Sequence, residues 1–306
     1  MTRHFTTIDE LGPGDLSTIL DRAGSAFDDE TLKGQGVALV FERPSLRTRA
    51  SSSCAVHELG GYTTFFGDEE IGLDTRESAE DVGRTLAEMY AIAAMRVRDH
   101  GVFERMRLAT RERMSLINLL SNKAHPTQAV ADVLAIAEHF SNGDVRGLAG
   151  LEVAYVGDAT NVTRSLAVAL LGLGVNVTIG APDEYQLTPG GVEDPTAVLG
   201  GVLRLTDDPH DALTTADVVY TDAWVSMGME SQTPHRREVL SPFRVDAALM
   251  ASAKSGAALM HCLPAHRGDE VTDEVLDGEG SLVWRQVYHR RTAMIGVLRW
   301  IKEENT

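Results

Sequence analysis

Residues 36–49 read Gly-Val-Ala-Leu-Val-Phe-Glu-Arg-Pro-Ser-Leu-Arg-Thr-Arg, an apolar run that abruptly becomes polar. The run Gly36–Phe41 is typical of a buried strand, and residues 50–59 can form a helix. The residues in between therefore form a strand-to-helix turn. Pro44 suits the first helical position and Ser45 can cap the helix, which leaves backbone N–H groups at the helix start available to an anion.

Three arginines, Arg43, Arg47 and Arg49, lie in the same turn. A guanidinium can bind two phosphate oxygens at once, which the single ammonium of Lys cannot. The alternative is that these arginines face water or pair with nearby acids, as surface charge runs usually do. Their position at a strand end, next to Pro-Ser, favours a dianionic ligand.

The same strand–turn–helix order recurs along the chain. In the first half, helices are predicted within 1–35 and at 77–90 and 129–140, strands at 91–97 and 114–120, and a polar loop, a candidate lid or subunit contact, at 65–76. In the second half, strands are predicted at 151–157, 175–180, 202–205, 217–221 and 257–263, and a helix at 162–173. Apolar strands separated by helices predict an α/β fold with two doubly wound parallel-sheet domains joined by interdomain helices.

A stretch rich in Asn, Gly and Asp at 141–150 marks the junction between the domains. We expect the first domain to comprise residues 1–138 plus 286–306, which include a returning C-terminal helix. The second domain is expected at 139–285. Ligands of such sheets bind outside the carboxyl ends of the strands, where Arg96 and Arg98 end one strand of the first domain.

The composition excludes several classes of protein. A chain of 306 residues with 43% hydrophobic residues suits two soluble domains, and its net charge of −17 disfavours nucleic acid or an anionic membrane as a partner. It has no apolar run of about 20 residues and no signal-peptide core, so we expect a cytoplasmic protein. Cys54 and Cys262 are too far apart in sequence to form a metal-spacing pair.

The first strand end of the second half, 157–162, reads Gly-Asp-Ala-Thr-Asn-Val. A dinucleotide site would need Gly-x-Gly-x-x-Gly, and only one of these glycines is present. Asn161 is either a helix cap or a ligand-binding residue. At the next strand end, Asp222 either caps a turn or binds a substrate ammonium, while Ser226 and the following backbone could hold a carboxylate.

The last strand end, residues 261–268, reads His-Cys-Leu-Pro-Ala-His-Arg-Gly. Leu263 precedes Pro264, which favours an extended backbone with a carbonyl that can face a ligand. His261 and Cys262 are neighbours on a strand and should point to opposite faces, which disfavours Cys262 as an activated nucleophile.

Four stretches of the chain resemble sequence motifs of the aspartate and ornithine carbamoyltransferase family. Ser45 to Arg49 is similar to its Ser-Thr-Arg-Thr-Arg carbamoyl-phosphate motif, with Leu46 where Thr is commoner, and 125–128 is similar to its His-Pro-x-Gln. Residues 222–228 and 261–264 resemble Asp-x-Trp-x-Ser-Met-Gly and His-Cys-Leu-Pro of the ornithine branch. The resemblance covers almost the whole chain.

The resemblance implies transfer of the carbamoyl group of carbamoyl phosphate to the δ-amine of L-ornithine, giving citrulline and phosphate. It implies that the first domain binds carbamoyl phosphate and the second ornithine, in a homotrimer or a multiple of trimers without a cofactor or metal. The implied carbamoyl-phosphate residues are Ser45, Leu46, Arg47, Thr48, Arg49, Arg96, His125, Gln128, Cys262, Leu263 and Arg290. The implied ornithine residues are Asn161, Asp222, Ser226 and Met227, and the implied catalytic residues are Arg49, Arg96, His125, Gln128, Asp222 and Cys262.

Three departures from the family pattern leave alternatives open. Glu70 stands where many members have Gln, Ser53 where Glu is usual, and residues 289–292 read His-Arg-Arg-Thr in place of Asn-Arg-x-His. One alternative is a carbamoyltransferase for another amine, such as putrescine or N-acylornithine. The other is a paralogue that binds these ligands without turning them over.

Overall fold

The computed structural model describes residues 2–24, 29–187, 200–225 and 230–303. The chain forms two compact units. Unit 1 comprises Met1–Ala131 and Tyr288–Thr306, and unit 2 comprises Asp132–Val287. Both boundaries fall inside helices, so the chain continues from one unit into the other without a loop.

Unit 1 contains a parallel sheet with the strand order β2-β1-β3-β4. Its strands are β1 (Gly36–Phe41), β2 (Tyr62–Gly67), β3 (Ile92–Arg96) and β4 (Ser115–Leu120). Its helices are α1 (Asp15–Asp21), α2 (Leu46–Glu58), α3 (Asp68–Ile71), α4 (Ala79–Ala87), α5 (Gly101–Ala109) and the start of α6 (Pro126–Ser141). Near the amino terminus, Phe5 adds a parallel bridge to Ile117 of β4.

Unit 2 contains a five-stranded parallel sheet with the strand order β7-β6-β5-β8-β9. Its strands are β5 (Glu152–Val156), β6 (Asn176–Gly180), β7 (Leu203–Thr206), β8 (Val218–Thr221) and β9 (Ala258–His261). Its helices are α7 (Asn161–Leu171), α8 (Pro209–Leu213), α9 (Thr233–Leu240), α10 (Ala247–Met250), α11 (Asp273–Leu276) and the start of α12 (Val283–Lys302), which ends in unit 1. The α/β fold with two parallel-sheet domains is therefore confirmed.

The strand order places the switch points where ligands of open parallel sheets bind. In unit 1 the order reverses between β1 and β3, and in unit 2 between β5 and β8. Every residue of β1 is buried, as expected for a central parallel strand covered on both faces. None of the helices in the described part of the chain has the length and hydropathy needed to span a bilayer.

The close approach of α12 to α1 explains one glycine of the last helix. A Cβ added to Gly296 would lie 2.3 Å from the carbonyl oxygen of Ile19. Both backbones would have to move to accept a side chain, because carbon and oxygen atoms cannot approach so closely. Gly296 therefore fixes how the returning helix packs on the amino-terminal helix within unit 1.

The prediction of a loop at 65–76 is wrong for its first part. Phe65 and Phe66 belong to β2, and residues 68–71 form α3. The ring of Phe65 packs on Phe41 with 5.5 Å between centroids, and Phe66 meets Tyr90 edge-on at 6.2 Å. These aromatic contacts anchor a segment whose acidic residues suggested a loop.

Two helix details also differ from the prediction. The helix predicted at 77–90 is α4, which buries Val82 and Leu86 but ends before Met89, whose exposed fraction is 60%. Pro44 lies before α2 rather than inside it, since Ser45 is the N-cap residue, and the Ser45 side chain makes no capping hydrogen bond.

Candidate functional site

A cleft of about 1120 Å³ opens at the carboxyl end of β1 in unit 1. It is lined by Phe41, Glu42, Arg43, Pro44, Ser45, Leu46, Arg49, Ala50, Ser53, Phe65, Gly67, Asp68, Glu69 and Glu70. The guanidinium carbon of Arg49 lies 3.7 Å from the centre of the Phe65 ring, so the ring holds this cation by its face. The first turn of α2 thus presents Ser45 and an oriented arginine to the cleft.

The predicted phosphate residues of α2 separate onto different sides of the helix. Leu46 has an exposed fraction of 79%, whereas Thr48 is 3% exposed. Arg47 is half-buried and Arg49 exposed. Thr48 therefore faces the interior of unit 1, where it meets the returning helix α12.

That meeting point is a buried cluster around Arg290, which is 7% exposed. One terminal nitrogen of Arg290 donates to Thr48 Oγ1 at 2.5 Å, and the other donates to the side-chain oxygen of Gln128. Because a guanidinium has only donors, the amide atom of Gln128 that faces it must be the oxygen. Arg290 therefore fixes the orientation of Gln128.

His125 precedes α6 and is buried in the same region. Burial lowers the pKa of His125 well below its usual value, and the positive charges of Arg290 and Arg96 lower it further. The imidazole is therefore neutral at pH 7. The Thr127 hydroxyl lies 3.5 Å from His125 Nδ1. The structure thus brings Arg96, the last residue of β3, near His125. That these residues bind carbamoyl phosphate stays a prediction.

The cleft also has an acidic side, and its residues Glu42 and Asp68 were not predicted as site residues from the sequence. Glu42 is buried, and burial raises its pKa while Arg98 opposes that rise. The Arg98 guanidinium lies 2.5 Å from Asp68, and the Arg98 backbone N–H donates to Glu42 at 2.5 Å. Arg98, predicted as a candidate ligand residue, therefore joins the ends of β1 and β3 to the start of α3.

Glu70 lies on this acidic side, but its carboxylate is engaged. It accepts a hydrogen bond from the Gly67 N–H at 2.9 Å, and the Glu70 carbonyl accepts one from Arg76 at 2.9 Å. The side chain thus closes the first turn of α3 in the manner of a capping box. Glu70 and Ser53, two of the departures from the family pattern, line the same cleft as Arg49.

In unit 2, Asp222 and Cys262 meet at neighbouring strand ends. The Cys262 thiol donates to Asp222 Oδ1 at 3.0 Å, and the Ala223 N–H donates to the same oxygen at 2.8 Å. Asp222 Oδ2 accepts no hydrogen bond from the described residues of the chain. This arrangement leaves one carboxylate oxygen able to receive a cationic ligand.

Two predictions about the last strand end are wrong. Leu263 has a φ of +59° rather than an extended backbone, and its peptide bond to Pro264 is cis. The Leu263 N–H donates to His261 Nδ1 at 2.9 Å, which turns the chain back on itself. A His261 ring nitrogen lies within 4.8 Å of Cys262 Sγ rather than on the opposite face, because β9 ends at His261 and strand alternation ends with it.

His261, Cys262 and Asp222 bring three potential metal ligands together. His261 Nδ1 accepts the Leu263 N–H, and Nε2 lies 3.2 Å from the buried carboxylate of Glu270. Both ring nitrogens are thus engaged, so a cation would have to displace one of these contacts. Glu270 is a buried residue that the sequence reading missed, and its position nine residues after His261 carried no recognisable signal.

Asn161 is the first residue of α7, and the helix is capped by Thr160, whose hydroxyl accepts the Val162 N–H at 3.2 Å. The structural alternative for Asn161, a helix cap, is therefore wrong. Ser226 and Met227 lie outside the described residues. Gly157, just before this helix, has a φ of +122°, a conformation that favours glycine, and a Cβ there would lie 3.4 Å from the indole nitrogen of Trp224.

Two parallel-sheet units, one with an arginine-bearing cleft and one with a carboxylate–thiol pair, place the chain among the α/β proteins that bind small molecules at the carboxyl ends of their strands. Residues 3–138 match the carbamoyl-P binding domain of aspartate/ornithine carbamoyltransferases, and residues 149–301 match their Asp/Orn binding domain. The chain belongs to the aspartate/ornithine carbamoyltransferase family.

Relatives match this chain over nearly its whole length. Ornithine carbamoyltransferase of Acidothermus cellulolyticus is 40% identical over 298 residues, covering 95% of this chain and 93% of that protein. That of Haloquadratum walsbyi is 36% identical over 305 residues, covering 99% and 98%. The solved structure of Pyrococcus furiosus ornithine carbamoyltransferase is 35% identical and covers 97% of this chain and 96% of that chain, with a TM-score of 0.90.

Proposed function

We propose that this enzyme transfers the carbamoyl group of carbamoyl phosphate to the δ-amine of L-ornithine, giving citrulline and phosphate. The observation that carries the proposal is the Asp222–Cys262 pair, which leaves a carboxylate oxygen at the switch point of unit 2 for an α-ammonium group. Relatives at 36–40% identity bear the name ornithine carbamoyltransferase. Unit 1 then binds carbamoyl phosphate, and unit 2 binds ornithine.

In unit 1, the phosphate lies at the start of α2. Backbone N–H groups of this turn and the Ser45 hydroxyl donate to phosphate oxygens, and Arg47 and Arg49 supply positive charge. The Phe65 ring under Arg49 fixes the direction of its fork before the ligand arrives. Leu46 takes part through its backbone only, because its side chain is apolar and faces outward.

The carbonyl oxygen of carbamoyl phosphate needs donors that strengthen as negative charge develops on it. His125 suits this role because it is neutral and keeps one ring N–H. Arg96 adds a positive charge near it, and Gln128 contacts the carbamoyl amide. Arg290 acts by holding Gln128 and Thr48 in place.

The reaction is a substitution at the carbamoyl carbon. The lone pair of the deprotonated δ-amine forms the new C–N bond, and the C–O bond to phosphate breaks with its electron pair leaving on phosphate. The amine loses one proton to the departing phosphate or to water. Asp222 accepts the α-ammonium of ornithine, Cys262 lies beside the attacking amine, and Asn161, Ser226 and Met227 complete the amino-acid contacts.

The same proposal includes a homotrimer or a multiple of trimers, as the resemblance implies. The edge strand β2 and its exposed Tyr62 leave an unpaired sheet edge in unit 1 that a neighbouring copy could cover. Light scattering would give three chain masses or a multiple of three. A stable, fully active monomer would contradict this part of the proposal.

One assay separates the proposal from its alternatives. The protein is incubated with carbamoyl phosphate and, in turn, ornithine, putrescine, N-acetylornithine and aspartate, while phosphate and ureido product are measured. We expect product with ornithine alone. Product formed with another amine instead would identify that amine as the substrate. Ligand binding without product for any amine would indicate a binding paralogue.

A further inference from the structure

Arg236 of α9 is a buried cation that the proposed reaction does not use. It is 6% exposed, although it sits in a short helix whose next residue, Arg237, is exposed and pairs with Asp269 at 2.7 Å. Burying a guanidinium is costly unless every donor is matched. The groups that Arg236 contacts therefore indicate why it is buried.

The guanidinium of Arg236 contacts the loops that follow three neighbouring strands. Its Nη1 donates to the Asp158 carboxylate at 2.5 Å and to the Trp224 carbonyl at 2.8 Å. Its plane lies over the ring of Tyr185, 4.7 Å from the centroid. Asp158 follows β5, Tyr185 follows β6, and Trp224 follows β8, so the contacts converge at the switch point of unit 2.

Further contacts lock the same three loops together. The Tyr155 hydroxyl donates to the Asp158 carbonyl at 2.7 Å, and the Ala159 N–H donates to the Tyr185 carbonyl at 2.9 Å. Trp224 is only two residues from Asp222. A shift of the Trp224 carbonyl therefore moves the backbone that aims the Asp222 carboxylate.

Charge gives Arg236 a second effect on this region. Burial raises the pKa of Asp158, Arg236 opposes the rise, and the negative charge of Asp222 adds to it. Asp158 and Asp222 are thus close enough to repel each other. Arg236 compensates the charge of Asp158 and so reduces the repulsion between the two carboxylates beside the proposed ornithine site.

We propose that Arg236 is a positioning residue for the amine substrate, which clamps the loops after β5, β6 and β8 and thereby holds Asp222 in its binding orientation. This inference rests on the proposed function for the identity of the amine. It does not require Arg236 to touch substrate. Lys cannot keep all of these contacts, because it lacks the Nε–H that donates to Gln232 Oε1 at 3.1 Å and the flat guanidinium that lies over the Tyr185 ring.

The test compares Arg236→Lys and Arg236→Gln with the matched control Arg237→Gln in the full-length protein. For Arg236→Lys we expect the KM for ornithine to rise about tenfold, the loss expected for one charge-assisted hydrogen bond, with the KM for carbamoyl phosphate within about twofold of wild type. Arg237→Gln should leave both constants unchanged. Equal increases in both constants, or none, in Arg236→Lys would overturn the inference.

Amide hydrogen exchange tests the clamp without substrate. In both Arg236 variants the Ala159 amide should exchange faster than in wild type, while Arg237→Gln should match wild type. Unchanged exchange at Ala159 would overturn the clamp. If Arg236→Gln does not fold, Arg236→Lys decides. If wild type makes no citrulline, the proposed function fails, and the clamp is then accepted or rejected on exchange at Ala159 alone.

Discussion

Both sheets are parallel and reverse their strand order, but the candidate ligand residues at the carboxyl ends of their strands differ in charge. In unit 1 this side of the sheet, the cationic edge, carries Arg96 at the end of β3 and Arg49 in the helix after β1. In unit 2 the acidic edge carries Asp158 after β5 and Asp222 after β8. Both sets lie where the strand order reverses. In open parallel sheets the strand order sets where a small ligand binds, and on the proposed function the side chains after each strand set which ligand charge the site accepts.

The two edges also hold their buried arginines differently. Arg290 donates to the hydroxyl of Thr48 and the amide of Gln128, and neither contact brings a negative charge. Arg236 donates to the carboxylate of Asp158, which compensates its charge.

Arg49→Lys provides the largest expected effect and tests the cationic edge. The variant should fold normally but lose about 2–3 kcal/mol of transition-state binding, roughly 30- to 150-fold in kcat/KM, because a point charge cannot reproduce an oriented fork. Steady-state kinetics with carbamoyl phosphate varied would measure it. Lys302→Arg on α12 is a control. Wild-type turnover in Arg49→Lys would remove Arg49 from the site.

Asp222→Asn tests the acidic edge. We expect the KM for ornithine to rise about tenfold or more, since the lost charge faces the α-ammonium, while the KM for carbamoyl phosphate changes little. The control is Asp217→Asn, at the opposite end of β8, where the carboxylate pairs with Lys254 at 2.9 Å. Equal effects on the KM values of both substrates would contradict the assignment of ornithine to unit 2 and carbamoyl phosphate to unit 1.

Acid stability tests the electrostatics around His125. Its pKa is lowered in the folded state, so below about pH 6.5 the unfolded chain binds a proton that the folded chain does not. Its contribution to the free energy of unfolding is therefore complete above pH 6.5 and falls by up to about 1.4 kcal/mol per pH unit on acidification. Denaturant unfolding of His125→Asn between pH 7.5 and 5.5 should show a shallower loss than wild type.

The exposed His139 of α6 supplies the matched control for that comparison. His139→Asn should follow the wild-type curve, because its ring is not buried. In Arg290→Met, nuclear magnetic resonance should show a His125 pKa higher than in wild type, since one of the charges that lowers it is gone. An unchanged His125 pKa in that variant would mean that Arg290 does not act on this ring.

Glu70→Gln has the smallest expected effect and tests whether the Glu70 charge weakens anion binding at the cationic edge. The Gln oxygen can still accept the Gly67 N–H, so α3 should be retained. Removing one exposed charge near a dianion should tighten carbamoyl phosphate by roughly 1 kcal/mol, about fivefold, by calorimetry at matched ionic strength. Glu77→Gln, outside the cleft lining, is the control. No tightening would mean that Glu70 does not face the phosphate.

The fold class and the residue types at the strand ends could be predicted from local sequence. Apolar runs such as 36–41 and 151–157 predict buried parallel strands because neither face can be polar, and β1 and β5 confirm them. Local strings also marked Arg49, His125 and Asp222, but through their resemblance to family motifs, since a polar residue near a strand end can equally cap a turn.

Which distant residues contact each other could not be predicted from local sequence. The contact of Arg290 with Gln128, 162 positions away, and that of Arg236 with Asp158, 78 positions away, have no local signal, because side-chain pairing depends on how strands and helices are ordered in space. The same holds for Leu263, which has a positive φ and donates its N–H to the His261 ring. Sequence periodicity reports the burial of an element, whereas hydrogen-bond partners are set only when separate elements pack together.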